Sequence, residues 1–414
     1  MQATEIDPRL LGMIIALVII GIGFQFASGG VFLTPRNLWN LSVQTATIAV
    51  LANGMVLIIV SRNIDLSVGS LMGLLGMTMG ALQTELLPPL LGYDHPAAWI
   101  ITVLAGLGSG VVLGAFQGYI IAYLQVPAFI VTLGGLLVWR GAAWWVASGK
   151  TLAPMDTTFQ IFGGGGSGGS IGATASWVVG VLVCIAIVAI ILTTRRQRQR
   201  FNFPLRPIWA EVTLSVIGCA ATIGAIAVIN AYPMPEGLAQ QYATDHNIAW
   251  PEGGLFIPLG IPIPVLIAIG CAIAVAFVAG RTRFGRYVFA IGGNPEAAEL
   301  GGINTRWVIL KTFILMGALC AIAAVIATAR LNAATNSLGT NNELYTIAAT
   351  IIGGTSFAGG IGTIPGAMLG ALLMQSLQSG MQLMGIDSPL QNIVVGAVLV
   401  FAVGIDTWYR RRAT

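Results

Sequence analysis

The chain has 414 residues and a net charge of +4, and only 8% of its residues are charged while 56% are hydrophobic. An average soluble domain carries roughly 25% charged residues, so the composition excludes a soluble enzyme, a disordered scaffold and a secreted domain held by disulfides. The apolar runs are long and unbroken, which favours membrane-spanning helices over a transmembrane barrel. We therefore predict an all-α polytopic membrane protein that forms one domain, residues 1–414.

Apolar runs recur along the whole chain, and a helix of about 20 apolar residues crosses the hydrocarbon core of a bilayer. Twelve runs are candidates: Leu10–Ala27, Val43–Val60, Leu66–Leu82, Ala98–Tyr123, Phe129–Val146, Trp177–Leu192, Ile208–Ile229, Pro258–Ala279, Val308–Ala327, Tyr345–Gly353, Ile364–Met384 and Gln391–Ile405. The tenth is too short to cross alone, so its helix either continues into the glycine-rich stretch or re-enters. We therefore expect ten to twelve spans with broken or re-entrant segments.

The basic residues indicate the orientation of the spans. If the N-terminus is cytoplasmic, most of the 19 lysines and arginines fall on the cytoplasmic side. They concentrate in the loops 193–207 and 280–307 and at Arg410–Arg412, whereas the outer loops carry acids such as Asp94, Glu236 and Asp245. By the positive-inside rule, we expect an even number of spans with both termini cytoplasmic. We do not expect a cleaved signal peptide, because the first apolar run is too long and Glu5 and Asp7 precede it.

Several motifs that often carry chemistry are incomplete in this sequence. The four cysteines are far apart in apolar runs, so we expect no metal site. His95 and His246 fall in outer loops without the partners of a catalytic site. Gly149-Lys150-Thr151 resembles the end of a phosphate-binding loop, but Trp144 occupies the position of its first glycine. The net charge gives no indication of nucleic-acid binding, and the Gly/Ser-rich stretch 163–172 is typical of a flexible linker.

Two polar breaks interrupt apolar runs and are candidates for a translocation pathway. The early break, residues 63–70, contains Asp65 and Ser67, which can either start the next helix or line a polar path. The late break contains six glycines and a proline within residues 351–366, and such backbone is tolerated in a membrane only inside protein or beside a cavity. The predicted pathway residues are Asn53, Asp65, Ser67, Gly353, Gly354, Thr355 and Ser356, and further polar candidates for the pore are Gln44, Thr132, Gln375 and Gln378.

The inner loop 280–307 contains a short helix with complete start and stop signals. Asn294 suits the N-cap, Pro295 the first helical position, and Gly301 or Gly302 the end. A helix of six or seven residues does not hold itself in water, so it needs a surface to dock on. We interpret it as a coupling helix for a soluble partner, and the alternative is a helix that lies flat at the lipid interface. Its residues are Asn294, Pro295, Glu296, Ala297, Ala298, Glu299, Leu300, Gly301, Gly302 and Ile303.

The same loop resembles the coupling motif of ABC importer permeases, through Glu296-Ala297-Ala298 with Gly301 downstream. Residues 65–70 (DLSVGS), 285–294 (GRYVFAIGGN) and 352–356 (IGGTS) resemble the bacterial sugar permeases of the ribose/xylose/galactose type. The resemblance covers most of residues 40–145 and 255–408. Residues 163–254 are an insertion with an extra pair of spans and an outer loop, a layout similar to xylose-type permeases.

The resemblance implies an ABC permease fold in the bacterial inner membrane, surrounded by lipid. It implies a homodimeric pore, a cytoplasmic tandem ATPase that binds the ATP, and a periplasmic sugar-binding protein. The permease itself then needs no cofactor and has no catalytic residue. We therefore expect the permease subunit of an ATP-driven pentose importer, xylose by preference.

Two alternatives are compatible with the sequence. A secondary sugar transporter with broken helices needs intramembrane carboxylates for ion coupling, and Asp65 is the one candidate. A passive channel would give the capped inner helix no role.

Overall fold

The computed structural model describes residues 8–245, 247–251 and 253–413. Glu5, Asp7 and His246 lie outside these residues. Within them the chain forms α-helices and no β-sheet. In chain order the helices are α1 (Pro8–Ala27), α2 (Pro35–Val60), α3 (Val68–Ala81), α4 (Pro88–Leu91), α5 (Ala98–Ala122), α6 (Ala128–Ala147), α7 (Thr157–Gln160), α8 (Gly172–Arg200), α9 (Ile208–Asn230), α10 (Glu236–Asp245), α11 (Ile263–Arg281), α12 (Arg283–Gly293), α13 (Pro295–Leu300), α14 (Thr305–Leu331), α15 (Asn342–Ile352), α16 (Ile364–Leu383) and α17 (Ser388–Ala413).

Each of the twelve apolar runs contains a helix, which confirms the prediction of an all-α polytopic protein. Among the described residues, 8 helices are long and apolar enough to cross a membrane: α1, α2, α5, α6, α8, α9, α11 and α14. The tenth run forms α15, which has 11 residues and ends at Ile352 before the glycines. Its helix therefore stops at the late break and does not continue through it.

Helix α2 lies at the centre of the molecule. It packs against α11, α14, α15 and α16, and its residues from Ala46 to Val60 are buried. The helices α1, α8 and α9 are largely exposed, as expected for helices whose outer surface meets lipid. From Ile48 to Val60 the sequence of α2 is apolar apart from Asn53, which is typical of a helix enclosed by others.

Helices α5 and α14 meet along a row of glycines. Gly106, Gly110, Gly114 and Gly118 follow each other at four-residue spacing on α5. A Cβ at Gly110 would meet the carbonyl oxygen of Gly317 on α14, and a Cβ at Gly114 would meet that of Phe313. Small residues at this spacing let two helix backbones approach closely in a membrane, so α5 and α14 form a tightly packed pair.

Contacts between loops fall into two groups, at opposite ends of the helices. At one end Asp94 Oδ1 accepts from Thr157 N at 2.9 Å and Trp39 Nε1 donates to Gly260 O at 3.0 Å. At the other end Arg62 donates to the carbonyl of Gly292. We call the second group the basic end, because it holds α12 with its arginines. The grouping matches the alternation of loops in the predicted topology.

The stretch 163–172 is packed, so the interpretation as a flexible linker is wrong. Gly163 is buried, and a Cβ there would meet the backbone nitrogen of Arg330. Gly172 N donates to Leu259 O at 3.0 Å, and Ile171 N donates to Ile261 O at 3.1 Å. Gly163 and Gly169 leave no room for a Cβ, because the segment folds tightly and lies directly on α14. A Gly/Ser-rich composition does not distinguish such packing from flexibility.

Candidate functional site

The predicted coupling helix is present as α13, with the start and stop signals where the sequence places them. The Asn294 side chain accepts from Ala297 N at 3.0 Å, and Pro295 occupies the first turn. The helix ends when Gly301 N donates to Ala297 O at 2.9 Å, and Gly302 follows with φ of +81°. A left-handed φ favours glycine. The chain then turns through Ile303 into α14.

The two faces of α13 have different surroundings. Ala298 is 6% exposed and belongs to the hydrophobic core, whereas Leu300 is 90% exposed. Glu296, Ala297 and Glu299 are also exposed. Among the predicted coupling-helix residues, Ala298 therefore faces into the molecule and is not available to a partner. The surface available to a partner is formed by Glu296, Ala297, Glu299 and Leu300.

The late break forms a loop of residues 353–363, which we call the glycine loop. Gly353 packs against the start of α16, where a Cβ would come within 2.5 Å of the Gly366 backbone. Gly354 has φ of +88°, a conformation that favours glycine. Thr355 and Ser356 are both buried, and Ser356 N donates to Ile361 O at 2.9 Å. The loop is compact and packs between helices, and irregular backbone in a membrane protein needs such protein surroundings.

The glycine loop meets the ends of α2 and α12 at the basic end. Gly360 N donates to Val60 O at 3.0 Å. A Cβ at Gly292 would collide with that same Val60 oxygen and with Gly360 N. Three chain segments that are distant in sequence therefore touch through their backbones, immediately before α13 begins.

The early break surrounds Asp65 with polar partners. Asp65 is 1% exposed, and its Oδ1 accepts from Ser67 N at 2.8 Å and from Ser67 Oγ at 2.6 Å. Gln117 of α5 donates to Ser67 Oγ at 2.9 Å. Thr132 lies beside this break, 3.3 Å from the Ile64 oxygen. Ser67 directly precedes α3, but its side chain makes no capping hydrogen bond to that helix, so the helix-start role and the pathway role of Asp65 and Ser67 both stay predictions.

A polar cavity of about 340 Å³ opens at the end of the molecule opposite the basic end. It lies between α2, α14, α16 and the loop that precedes α15. Three predicted pore residues line it, namely Gln44, Gln375 and Gln378. Gln375 Nε2 donates to Gln44 Oε1 at 2.9 Å. Amide side chains both donate and accept hydrogen bonds, so this lining suits a ligand that carries hydroxyl groups.

The cavity also has polar residues that sequence reasoning missed. They are Thr47, Arg330, Thr335, Ser337, Thr340, Asn342 and Gln382. The available signal was the polar run at residues 335–342, which separates two apolar runs. Asn53 and Thr132 do not line the cavity. Asn53 follows Gln44 by nine residues, about two and a half helical turns, so it lies on the opposite side of α2, fully buried.

The cavity, the early break and the glycine loop are therefore separate places. The cavity lies at one end of α2, the glycine loop contacts the other end, and Asp65 lies beside α5. None of the seven predicted pathway residues lines the cavity.

Comparisons with known proteins give a consistent result. The family model described as "Branched-chain amino acid transport system / permease component" matches residues 37–403. The xylose transport system permease protein of Escherichia coli K12 is 37% identical over 409 residues, covering 99% of this chain and 94% of that protein. The Haemophilus influenzae protein of the same description is 36% identical over 412 residues, covering 99% of this chain and 98% of that protein.

A more distant relative carries a different sugar in its description. The ribose import permease protein of Escherichia coli K12 is 30% identical over 394 residues, which cover 95% of this chain and 92% of that protein. No solved structure matches the chain.

Proposed function

Because the chain belongs to the family of branched-chain amino acid transport system permease components, we propose that it is the permease subunit of an ATP-driven importer of a pentose, xylose. The observation that supports xylose as the substrate is the 37% identity to a xylose permease along 99% of the chain. The family consists of transport components, so the chain is a transport subunit and not an enzyme.

The polar cavity supplies the place where a sugar enters. Gln44, Gln375 and Asn342 offer amide donors and acceptors to hydroxyl groups. The sugar then passes inward beside α2 towards the glycine loop. Gly353 to Ser356 form the inner part of this path in our proposal. Asn53, Asp65 and Ser67 are further candidates for this path.

The exposed surfaces of the chain indicate where each proposed partner binds. A cytoplasmic tandem ATPase binds ATP and docks on the exposed face of α13. A periplasmic sugar-binding protein delivers the sugar at the end that holds the cavity. A second copy of the chain and membrane lipid cover the exposed apolar helices. The complex lies in the bacterial inner membrane, and both termini of the chain are cytoplasmic.

Uptake of labelled xylose tests this proposal. A strain without xylose uptake receives this chain together with a tandem ATPase and a periplasmic sugar-binding protein from the same source. We expect uptake of labelled xylose. An excess of unlabelled xylose should reduce this uptake, and the same concentration of ribose or fructose should reduce it less. Omission of the ATPase should abolish uptake. Uptake that persists without the ATPase and stops with a proton ionophore would instead indicate a secondary transporter.

A further inference from the structure

Arg62 binds the end of the helix that precedes α13. Its Nε donates to Gly292 O and its Nη2 donates to Gly293 O, both at 2.8 Å. These carbonyls lie at the C-terminus of α12, where backbone oxygens have no partner in their own helix and the helix dipole is negative. A guanidinium has several donors in a fixed planar arrangement, so one side chain serves both oxygens.

The backbone of Arg62 belongs to the end of α2. Arg62 has φ of +63°, and its N donates to Ile59 O at 2.9 Å, which closes α2. The side chain can therefore turn back towards α12, a segment 230 residues away. The contact is a bridge between the central helix of the molecule and the end of α12.

The acceptors lie next to α13 in the chain. Gly293 directly precedes Asn294, the N-cap of α13. A displacement of α13 therefore acts at once on the two carbonyls that Arg62 holds. Gly359 joins the same junction, because a Cβ there would lie 2.5 Å from Arg62 Cγ and 2.7 Å from Gly292 O. The backbone contacts leave little free space, so a displaced α12 end has to move α2 or the glycine loop.

We propose that Arg62 is the positioning residue that transmits movement of α13 to α2 and to the glycine loop. The proposal rests on the proposed function, in which α13 docks an ATPase. Arg62 is exposed and its truncation leaves no hole in the core. Its role is to hold two moving parts together, and folding does not depend on it.

The experiment compares Arg62→Ala, Arg62→Lys and wild type in the complete complex with ATPase and binding protein. Membrane level, ATPase co-purification, ATP hydrolysis and xylose uptake are measured for each. For Arg62→Ala we expect co-purification and hydrolysis within about twofold of wild type and uptake at least about tenfold lower. Arg62→Lys retains a cation that reaches one carbonyl at a time, so we expect uptake between the other two. Arg283 of α12 is exposed, so Arg283→Ala is the matched control and should transport like wild type.

Two results would overturn the inference. The first is an unchanged ratio of uptake to hydrolysis in Arg62→Ala. The second is loss of the ATPase from the complex, or of the permease from the membrane, in both Arg62 variants, since Arg62 would then serve docking or folding. Failure of the proposed function is a separate result, because it shows as absent uptake in wild type before any variant is measured.

Discussion

Leu300 and Ala298 are two residues apart on α13, yet they meet different surroundings. Ala298 packs into the core, whereas Leu300 leaves 90% of its surface exposed. An exposed leucine alone needs no explanation, but this one stands at the tip of a short helix beside exposed Glu296 and Glu299. In the proposed complex it is the apolar anchor for the ATPase.

Replacement of Leu300 by aspartate tests that anchor. Burial of a leucine side chain contributes about 1.5–3 kcal/mol, and each 1.4 kcal/mol corresponds to about tenfold in affinity. We therefore expect Leu300→Asp to weaken ATPase binding about tenfold or more, measured as co-purification at limiting ATPase. Leu90→Asp is the control, because Leu90 is 78% exposed at the opposite end. Equal binding by Leu300→Asp and wild type would contradict the assignment.

The sequence predicts α13 well because its signals are local. Asn294, Pro295 and Gly301 each act on backbone within a few residues, so their roles follow from sequence alone. The side that Ala298 faces depends on how α13 packs against α12 and α14, which no local signal contains. For the same reason the sequence identifies Gln44 as a polar residue within a span, but not which side of α2 carries the cavity.

At the scale of elements, glycines mark the places where backbones touch. The sequence identifies the glycine loop through its density of glycine, and the structure has it packed against α2, α12 and α16. In α5 the signal is spacing and not density, because glycines four residues apart in an apolar helix favour close contact between helices, but this spacing does not identify α14 as the partner. For the stretch 163–172 the sequence predicts flexibility from its high glycine content, whereas the structure has it packed closely on α14.

Valine substitutions at Gly354 and Gly165 distinguish the glycine loop from the stretch 163–172. Gly354 has φ of +88°, which a β-branched residue rarely adopts, whereas Gly165 has no positive φ. A Cβ at Gly165 would lie 3.2 Å from Gln160 O, a contact that a small shift relieves. We expect Gly354→Val to lower xylose uptake about tenfold or more and Gly165→Val about twofold or less, at matched membrane levels. Equal tolerance at both sites would show that the glycine loop is not part of the pathway.

At the scale of the whole molecule, loops from distant parts of the chain meet at two ends. Arg62 contacts α12 at the basic end, and Trp39 contacts Gly260 at the other. The structure thus shows which loops lie at the same end of the molecule. From the charge distribution we propose that the basic end faces the cytoplasm.

Cysteine labelling on intact cells tests the orientation. Arg196→Cys lies at the basic end of α8 and Glu236→Cys lies at the start of α10, and both positions are exposed. We expect a membrane-impermeant maleimide to label Glu236→Cys and to leave Arg196→Cys unlabelled until the cells are opened. Labelling of Arg196→Cys in intact cells would reverse the orientation and remove α13 from the side where ATP is available.

The bridge at Arg62 has an asymmetry that matters for how such a protein can diverge. Its donor is a side chain, but both acceptors are main-chain oxygens, which every amino acid carries. Mutation at Gly293 keeps its acceptor, and a Cβ there meets nothing within 4 Å. The chemistry of the link therefore depends on the codon for Arg62, while Gly293 can change and Gly292 is restricted to glycine by its packing against Val60.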